Sequence, residues 1–293
     1  MRLGRNARSP LIALAHLVLV LVSGAPADQA IAGASGRLVQ GKVVSPALNG
    51  NLLGDPAEQP VAVYLPPSYQ TDPSKRFPVV YLLHGYTGKI QQWTENGYQG
   101  MRLKPMMDRL IEKGTIRETI VVVPNGANAY FGSFYTNSAV TGNWEDFIYR
   151  DTVSYIDRNY RTVSRPGSRG IAGHSMGGFG AILLGMKHPD VFGAIYALSP
   201  ACLGLEADLD SENPAWPKAF ALKSRSDLKP EPQTLDDFYV DVFVALSASF
   251  SPNPSRPPLY IDFPFALQNA SFPKVLSFPV RPLVNVNHCM SYG

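Results

Sequence analysis

The sequence predicts an α/β fold in which helices cover both faces of a doubly wound, mostly parallel sheet. Two patterns predict this fold. Short apolar strand segments alternate along the chain with amphipathic helical segments, and several strands are continuous apolar runs, as expected where a strand is buried on both faces. The chain has 293 residues, 45% of them hydrophobic, which is enough for one large domain of this kind.

The predicted strands are short and rich in β-branched or aliphatic residues. Residues 37–44 and 60–70 open the sheet, since both alternate or cluster β-branched side chains. The later strands are apolar runs bounded by glycine or proline, at residues 77–85, 118–126, 168–175 and 193–200. Six strands are therefore expected in the part of the chain before residue 204.

Three segments between these strands have helical periodicity. Residues 101–113 are predicted to be helical despite Pro105. Residues 143–160 form an amphipathic helix with one apolar stripe, for which Asn143 is a suitable N-cap. Residues 177–189 follow the strand 168–175 with no intervening loop, so this strand and helix meet in a sharp turn.

That turn carries the first candidate for chemistry. It reads Gly-His-Ser-Met-Gly, with Ser175 between Gly173 and Gly177. A serine on a tight strand-to-helix turn projects above the sheet, and the turn needs glycines because neighbouring side chains would collide. The helix that follows points free N–H groups and its positive dipole end at the same place. Ser175 is therefore predicted to be a nucleophile, with Gly173 and Gly177 forming its turn.

A second element is the strand end "LLHGYTG" at residues 82–88. In acyl-transfer sites of this type, one oxyanion donor is the amide after the nucleophile and another comes from the loop after an early strand. These donors would be the backbone N–H groups of Met176 and Tyr86. His84 is expected to shape the loop rather than to transfer protons.

Taken together, these segments resemble the esterase D family of α/β-hydrolases. That family includes feruloyl and acetylxylan esterases, S-formylglutathione hydrolases and mycolyltransferases of the antigen 85 type. The resemblance rests on five segments in the family's order: residues 63–69, 77–88, 144–157, 173–181 and 197–200. It implies an α/β-hydrolase fold, with Ser175 as nucleophile and the Tyr86 and Met176 amides as the oxyanion hole.

The resemblance also implies a function and further site residues. It places Trp144 and Glu145 near the mouth of the active site, although core packing and a favourable charge in the first helical turn explain these residues equally well. The implied activity is carboxylic ester hydrolysis of a small-molecule or glycan ester through an acyl-enzyme, with no metal and no organic cofactor. The alternatives are an acyltransferase of the mycolyltransferase type and a non-catalytic remnant.

The remaining members of a catalytic triad are harder to find. A serine needs a base, oriented by a third group, to take its proton. After Ser175 the only histidines are His188 and His288. His188 is expected at the far end of the helix that follows the nucleophile. Asp262 and His288 are left as candidates to complete the triad with Ser175.

The C-terminal part of the sequence departs from the family. Residues 205–268 are rich in proline and aromatic residues and are interpreted as a cap or insertion after the sixth strand. Residues 269–293 form an atypical tail without helical periodicity. We therefore expect that the family's last strands, with the acid and the histidine, are missing, and that this chain is catalytically impaired unless His288 serves as the base.

The N-terminal residues predict export. Three arginines precede an apolar run and a small-residue motif, which indicates a signal peptide at residues 1–27 and a secreted or periplasmic protein with a core at 28–204. Loss of these arginines brings the formal charge from +3 to 0, so nothing favours nucleic acid as a partner. No later segment predicts a membrane span, and Cys202 and Cys289 are too far apart in sequence to indicate whether they pair.

Overall fold

The computed structural model describes residues 35–95, 100–205 and 207–265. The predicted signal peptide, the predicted tail at 269–293 and the candidate base His288 lie outside these residues.

Within the described residues, six strands form one sheet and two short strands form a second. The strands of the main sheet are β1 (Arg37–Val44), β2 (Glu58–Leu65), β3 (Val79–Leu83), β4 (Ile120–Pro124), β7 (Arg169–His174) and β8 (Ala194–Leu198), and the second pair is β5 (Asn137–Ser138) and β6 (Gly142–Asn143). The order in the main sheet is β1-β2-β4-β3-β7-β8. Strands β4, β3, β7 and β8 are parallel, whereas β2 is antiparallel to both its neighbours. Crossovers between parallel strands leave helices on both faces, as the sequence predicts.

The helices vary widely in length. They are α1 (Ser68–Thr71), α2 (Ile90–Thr94), α3 (Leu103–Glu112), α4 (Trp144–Asp146), α5 (Val153–Asn159), α6 (Met176–Lys187), α7 (Trp216–Phe220) and α8 (Leu235–Phe250). Short 3₁₀ turns occur at Pro46–Leu48, Pro166–Ser168, Ala207–Leu209 and Arg225–Asp227. In the described part of the chain, no helix combines the length and the apolar character that crossing a lipid bilayer requires.

The sheet separates two hydrophobic cores. Along β2, Val61 and Val63 face one core whereas Ala62 and Tyr64 face the other, because successive side chains of a strand point to opposite faces. The larger core also contains residues of α5, α6 and α8, and the smaller one contains residues of α2 and α3. This double burial explains the continuous apolar runs by which the strands were predicted.

The predicted helices form, but the one predicted at residues 143–160 differs from the expectation in two respects. Pro105 is accommodated in the first turn of α3, where its missing N–H group has no helical acceptor in any case. The helix predicted at 143–160 is not regular throughout, because Phe147–Thr152 forms a π-helical segment between α4 and α5. Asn143 occupies the N-cap position, but its side chain makes no capping hydrogen bond.

Residues after β8 contain a long helix that the sequence interpretation missed. Helix α8 has 16 residues, and those from Val240 to Ser249 are buried. Its start has the expected signals, because the Thr234 side chain accepts from the Asp237 N–H and two aspartates lie in the first turn. The helix was missed because the interpretation of residues 205–268 relied on their proline-rich and aromatic composition.

The outer edge of the sheet is formed by β8. Among the described residues, no strand pairs with its outer side. Ile195 and Tyr196 of this strand are 43% and 39% exposed, unlike the apolar residues of β3 and β4.

Candidate active site

The turn between β7 and α6 holds Ser175 in a rare backbone conformation. Its φ is 56° and its ψ is −120°, a region that non-glycine residues seldom occupy and that costs on the order of 1–3 kcal/mol. The turn is fixed from both sides, since the Ser175 N–H donates to Leu198 O at 3.0 Å and the Ser175 carbonyl accepts from Phe179 and Ala201 at 3.0 and 3.2 Å. The strain is thus maintained by the surrounding backbone.

The two glycines of the turn are required by direct contact between backbones. A β-carbon on Gly173 would lie 2.2 Å from the Gly177 carbonyl oxygen, and one on Gly177 would lie 2.4 Å from the Leu83 carbonyl oxygen. Both distances are far inside van der Waals contact, and neither neighbour is a side chain that can move away. The glycines therefore allow β3, β7 and α6 to meet at one point.

The loop after β3 borders Ser175. A β-carbon on Gly85 would lie 3.5 Å from the Ser175 Cβ, so these two residues are adjacent. The N–H groups of Tyr86 and Met176 have no hydrogen-bond acceptor among the described residues. Two amide donors without acceptors in the described part of the chain therefore belong to the residues that follow Ser175 and its neighbour Gly85, one of them at the positive end of α6, and free donors of this kind stabilise negative charge.

His84 is buried and holds this loop. Its Nε2 accepts the Gly126 N–H at 2.8 Å, and its Nδ1 lies 2.9 Å from the Gly85 carbonyl oxygen. Since Nε2 is an acceptor, the proton resides on Nδ1 and is donated to Gly85. Burial lowers the pKa of the imidazole, so His84 stays neutral. The expectation that His84 shapes the loop is confirmed.

Trp144 and Glu145 are not brought together with Ser175. Trp144 is completely buried, and its Nε1 donates to the Thr141 carbonyl oxygen at 2.7 Å. The Glu145 carboxylate pairs with Lys187 at 2.6 Å and with His188 at 2.9 Å. These partners are at the C-terminal end of α6, whose 12 residues span about 18 Å. This placement does not agree with the expectation that both residues lie near the mouth of the site.

The three described histidines do not include a partner for the serine hydroxyl. The Ser175 Oγ makes no hydrogen bond within the described residues. His84 uses both ring nitrogens elsewhere, and His188 is the C-cap of α6, as predicted. His174 precedes the serine, and burial lowers the pKa of its imidazole.

Asp262 lies in the segment after α8 and makes local contacts. Its carboxylate accepts from the Asn253 side chain at 2.7 Å and pairs with Arg256 at 2.7 Å. Its N–H donates to the Ser251 carbonyl oxygen at 3.0 Å. No hydrogen bond or ion pair links it to the Ser175 turn within the described ranges, so Asp262 remains an untested candidate for the acid.

Helix α8 brings a buried carboxyl close to the site, which the sequence interpretation missed. Phe238 packs edge-on against Tyr86 with ring centroids 5.8 Å apart. Asp241, one turn further along α8, is 2% exposed and, among the residues that the structure describes, accepts only the Lys229 N–H, at 3.2 Å. Burial raises the pKa of the Asp241 carboxyl to about 6. In the described part of the chain, no group of three or more His, Cys, Asp or Glu side chains is arranged to hold a metal ion.

Comparisons with known proteins identify the family. The family model described as "Putative esterase" matches residues 56–237, which is more than half of the chain. The chain therefore belongs to this esterase family and has an α/β-hydrolase fold. The resemblance drawn from the sequence is confirmed.

Individual relatives match a central part of the chain. An endo-1,4-beta-xylanase/feruloyl esterase from Xylanibacter ruminicola is 31% identical over 138 residues, which are 46% of this chain and 18% of that protein. Esterase Rv1288 from Mycobacterium tuberculosis is 33% identical over 132 residues, 44% of this chain and 26% of that protein. The aligned part is thus less than a third of either curated relative.

A solved structure resembles the same region. The structure of a ferulic acid esterase is 34% identical in sequence, with a TM-score of 0.50, and the match covers 57% of this chain and 60% of that one. This similarity agrees with the α/β-hydrolase fold.

Proposed function

We propose that this protein is a serine carboxylic ester hydrolase that acts through an acyl-enzyme at Ser175. The observation that carries the proposal is the geometry of the turn. Ser175 has a strained positive φ beside two N–H groups, those of Tyr86 and Met176, that lack acceptors among the described residues. Buried structural turns rarely leave amide donors unpaired, whereas a site for a tetrahedral oxyanion requires them.

The proposed reaction has two steps. The Ser175 Oγ attacks the ester carbonyl carbon and transfers its proton to a base, while the carbonyl oxygen becomes an oxyanion that accepts from Tyr86 and Met176. Collapse of this intermediate breaks the bond to the alcohol, which leaves with a proton. Water then attacks the acyl-enzyme in the same way and releases the acid. Asp262 and His288 are proposed as the acid and the base of this scheme.

The proposed substrate class is an ester with an aromatic acyl group. Two of the relatives are an endo-1,4-beta-xylanase/feruloyl esterase and a ferulic acid esterase. Aromatic rings also surround the proposed oxyanion loop, since Tyr86 stacks with Phe134 and packs against Phe238. Methyl ferulate should therefore be hydrolysed with a higher kcat/KM than methyl acetate, and equal values would remove the support for an aromatic acyl pocket.

The test of the proposed activity is the loss of the serine hydroxyl. Ser175→Ala should abolish hydrolysis of p-nitrophenyl acetate and labelling by a fluorophosphonate probe, because both reactions need the nucleophile. Ser74→Ala is the control, since Ser74 is an exposed serine whose hydroxyl donates to Asp72. If Ser175→Ala keeps the wild-type turnover, the proposal is wrong.

A second candidate, a catalytically impaired relative, is favoured by one observation. None of the histidines in the described ranges hydrogen-bonds to the Ser175 Oγ. Without a base, an enzyme of this type loses several orders of magnitude in rate and keeps only the contribution of the oxyanion hole. His288→Gln separates the candidates: a large loss of turnover supports the intact triad, whereas no change supports the impaired enzyme. His188→Gln is the control for removing a remote histidine.

Two further parts of the proposal concern the acceptor and the location. Acyl transfer to a carbohydrate hydroxyl replaces water in the second step, so turnover with and without a sugar acceptor distinguishes transfer from hydrolysis. We also propose that the protein is exported after cleavage near Ala27. N-terminal sequencing of the secreted or periplasmic protein would test this.

A further inference from the structure

The loop that bears Tyr86 is tied to the segment after β4 by several hydrogen bonds. Two of these bonds have donors in the loop: the Thr87 N–H donates to Phe131 O at 3.1 Å, and the Tyr86 hydroxyl donates to Tyr130 O at 3.0 Å. In a third bond, the Gly126 N–H donates to His84 Nε2 at 2.8 Å. A fourth joins the Tyr135 hydroxyl to the His84 carbonyl oxygen at 2.9 Å. The segment at residues 126–135 therefore supports this loop from behind.

The ring of Tyr135 contacts two other backbones. A β-carbon on Gly126 would lie 2.4 Å from its Cε1, and one on Gly180 would lie 2.5 Å from its Cδ2. The ring is thus held directly against the segment after β4 and against α6. Gly180 is four residues, or about one turn, after Met176.

Tyr135 consequently connects the two elements that carry the proposed oxyanion donors. Its ring rests on α6, which carries the Met176 N–H, and its hydroxyl holds His84 O, two residues before the Tyr86 N–H. The side chain is completely buried, and burial raises the pKa of its phenol well above the ordinary value, so the hydroxyl keeps its proton and remains a donor.

The segment accepts backbone strain to make these contacts. Phe131, Phe134 and Tyr135 all have positive φ, at 66°, 49° and 52°. Bulky residues adopt this region rarely, and each costs on the order of 1 kcal/mol. Strain of this kind persists where the surrounding structure overdetermines it, and it is concentrated at functional sites.

We propose that Tyr135 is a positioning residue that fixes the spacing between the Tyr86 and Met176 amides through its hydroxyl bond to His84 and its ring contact with α6. The proposal rests on the proposed function, because it assigns Tyr135 a role in binding the oxyanion. Donors held in place before the reaction stabilise the developing charge without reorganisation, so the hydroxyl acts on the transition state more than on substrate binding.

The experiment compares Tyr135→Phe with Tyr64→Phe. Tyr64 is also completely buried and also loses one hydrogen bond, from its hydroxyl to Asp108 at 2.7 Å, but it belongs to the core on the other face of the sheet. Two quantities are measured: kcat and KM for p-nitrophenyl acetate, and hydrogen–deuterium exchange of a peptide that covers residues 84–88.

Tyr135→Phe should lower kcat about 10-fold and change KM less than about twofold, which is a smaller loss than the about 100-fold expected for removing a whole oxyanion donor. Exchange in residues 84–88 should become faster. Tyr64→Phe should change neither quantity, although its thermal stability falls comparably.

Each other outcome has a definite meaning. The positioning role is overturned if Tyr135→Phe behaves like Tyr64→Phe, if exchange accelerates without a fall in kcat, or if kcat falls without faster exchange. If the wild-type protein shows no turnover that depends on Ser175, the proposed function fails instead. In that case, hydrogen–deuterium exchange of residues 84–88 alone decides whether Tyr135 holds this loop in place.

Discussion

The two ends of helix α6 differ in how their polar groups are satisfied. At the N-terminal end, the Met176 N–H has no acceptor among the described residues, and Ser175 precedes it in a strained conformation. At the C-terminal end, Lys187 and His188 both pair with the buried carboxylate of Glu145. Tyr149 completes this cluster by stacking on His188, with ring centroids 3.7 Å apart.

The comparison shows that the composition of a cluster is a poor guide to its role. A glutamate, a histidine and a tyrosine in contact have the residue types of a catalytic site, yet the glutamate carboxylate already pairs with the histidine and with Lys187, and the tyrosine contributes a stacked ring. The N-terminal end has no charged side chain in its first turn and offers only backbone donors. Because those donors have no acceptor in the described part of the chain, this end, and not the cluster, is the one we propose to bind a substrate.

The largest expected effect comes from disturbing the N-terminal end. Gly177→Ala would place a β-carbon 2.4 Å from the Leu83 carbonyl oxygen, so α6 must move away from β3. We expect a loss of at least about 4 kcal/mol in the free energy of unfolding, or no folded protein. Urea denaturation measures the loss.

Gly167→Ala is the matched control, since a β-carbon there meets nothing within 4 Å. Gly177→Ala with wild-type stability and fluorophosphonate labelling would contradict the close meeting of strand and helix at this turn.

At the C-terminal end, the expected effect is on stability alone. Glu145→Ala leaves Lys187 and His188 without their shared carboxylate, which is 6% exposed. The substitution removes two charge-assisted hydrogen bonds to a buried carboxylate, and since each such bond contributes about 1.5–3 kcal/mol, we expect a loss of about 3 kcal/mol. Because the cluster is a full helix length from Ser175, kcat for p-nitrophenyl acetate should be unchanged.

Asp236→Ala provides the exposed counterpart, since both side chains of its pair with Lys218 are largely exposed. A large fall in kcat for Glu145→Ala, without a fall in the Asp236 variant, would show that the two ends of α6 are functionally coupled.

The same contrast explains what the sequence could predict. Strands β3 and β4 were predictable because each is an apolar run covered by a hydrophobic core on both faces. The Ser175 turn was predictable because its glycines are a local steric requirement. The buried contacts at the C-terminal end of α6 were not, because Glu145 and His188 are 43 residues apart in sequence. A single sequence contains no information about which distant side chains meet.

Helix α8 shows a different limit. Its N-cap residue and acidic first turn are local signals that the sequence contains. The surrounding prolines nevertheless led to the interpretation of residues 205–268 as an irregular insertion. The buried position of Asp241, by contrast, depends on packing of α8 against Tyr86 and the Lys229 segment. No pattern in the sequence distinguishes Asp241 from Asp236 or Asp237 on the same helix.

Asp241, one turn of α8 beyond the Phe238 that packs against Tyr86, makes the stability of the fold depend on pH. Its pKa is about 6 in the folded state and near 3.8 when unfolded, so the folded state binds this proton more tightly. Stability therefore falls as the pH rises from about 4 to about 7, by about 2 kcal/mol, and is level above that range. Asp241→Asn should remove this fall in a series of urea denaturations at different pH values.

Asp237→Asn is a control with the opposite sign. The bond to Lys229 lowers the pKa of the Asp237 carboxyl, so this group stabilises the fold at neutral pH and the contribution is lost as the pH decreases. If both variants change the pH dependence in the same direction, the burial of Asp241 is not the cause.

The smallest effect is expected for Lys187→Met. This variant tests how much of the stabilisation by Glu145 comes from its pair with Lys187 and how much from its contact with His188. The Lys187 side chain is 49% exposed, whereas its partner Glu145 is 6% exposed. Water solvates the ammonium in the absence of the pair, so its loss should cost less than about 1 kcal/mol and should shrink further in high salt. Glu145 then keeps its contact with His188 at 2.9 Å. A loss as large as that of Glu145→Ala would instead assign most of the cluster's energy to the Lys187 pair, and the stacked histidine would contribute little.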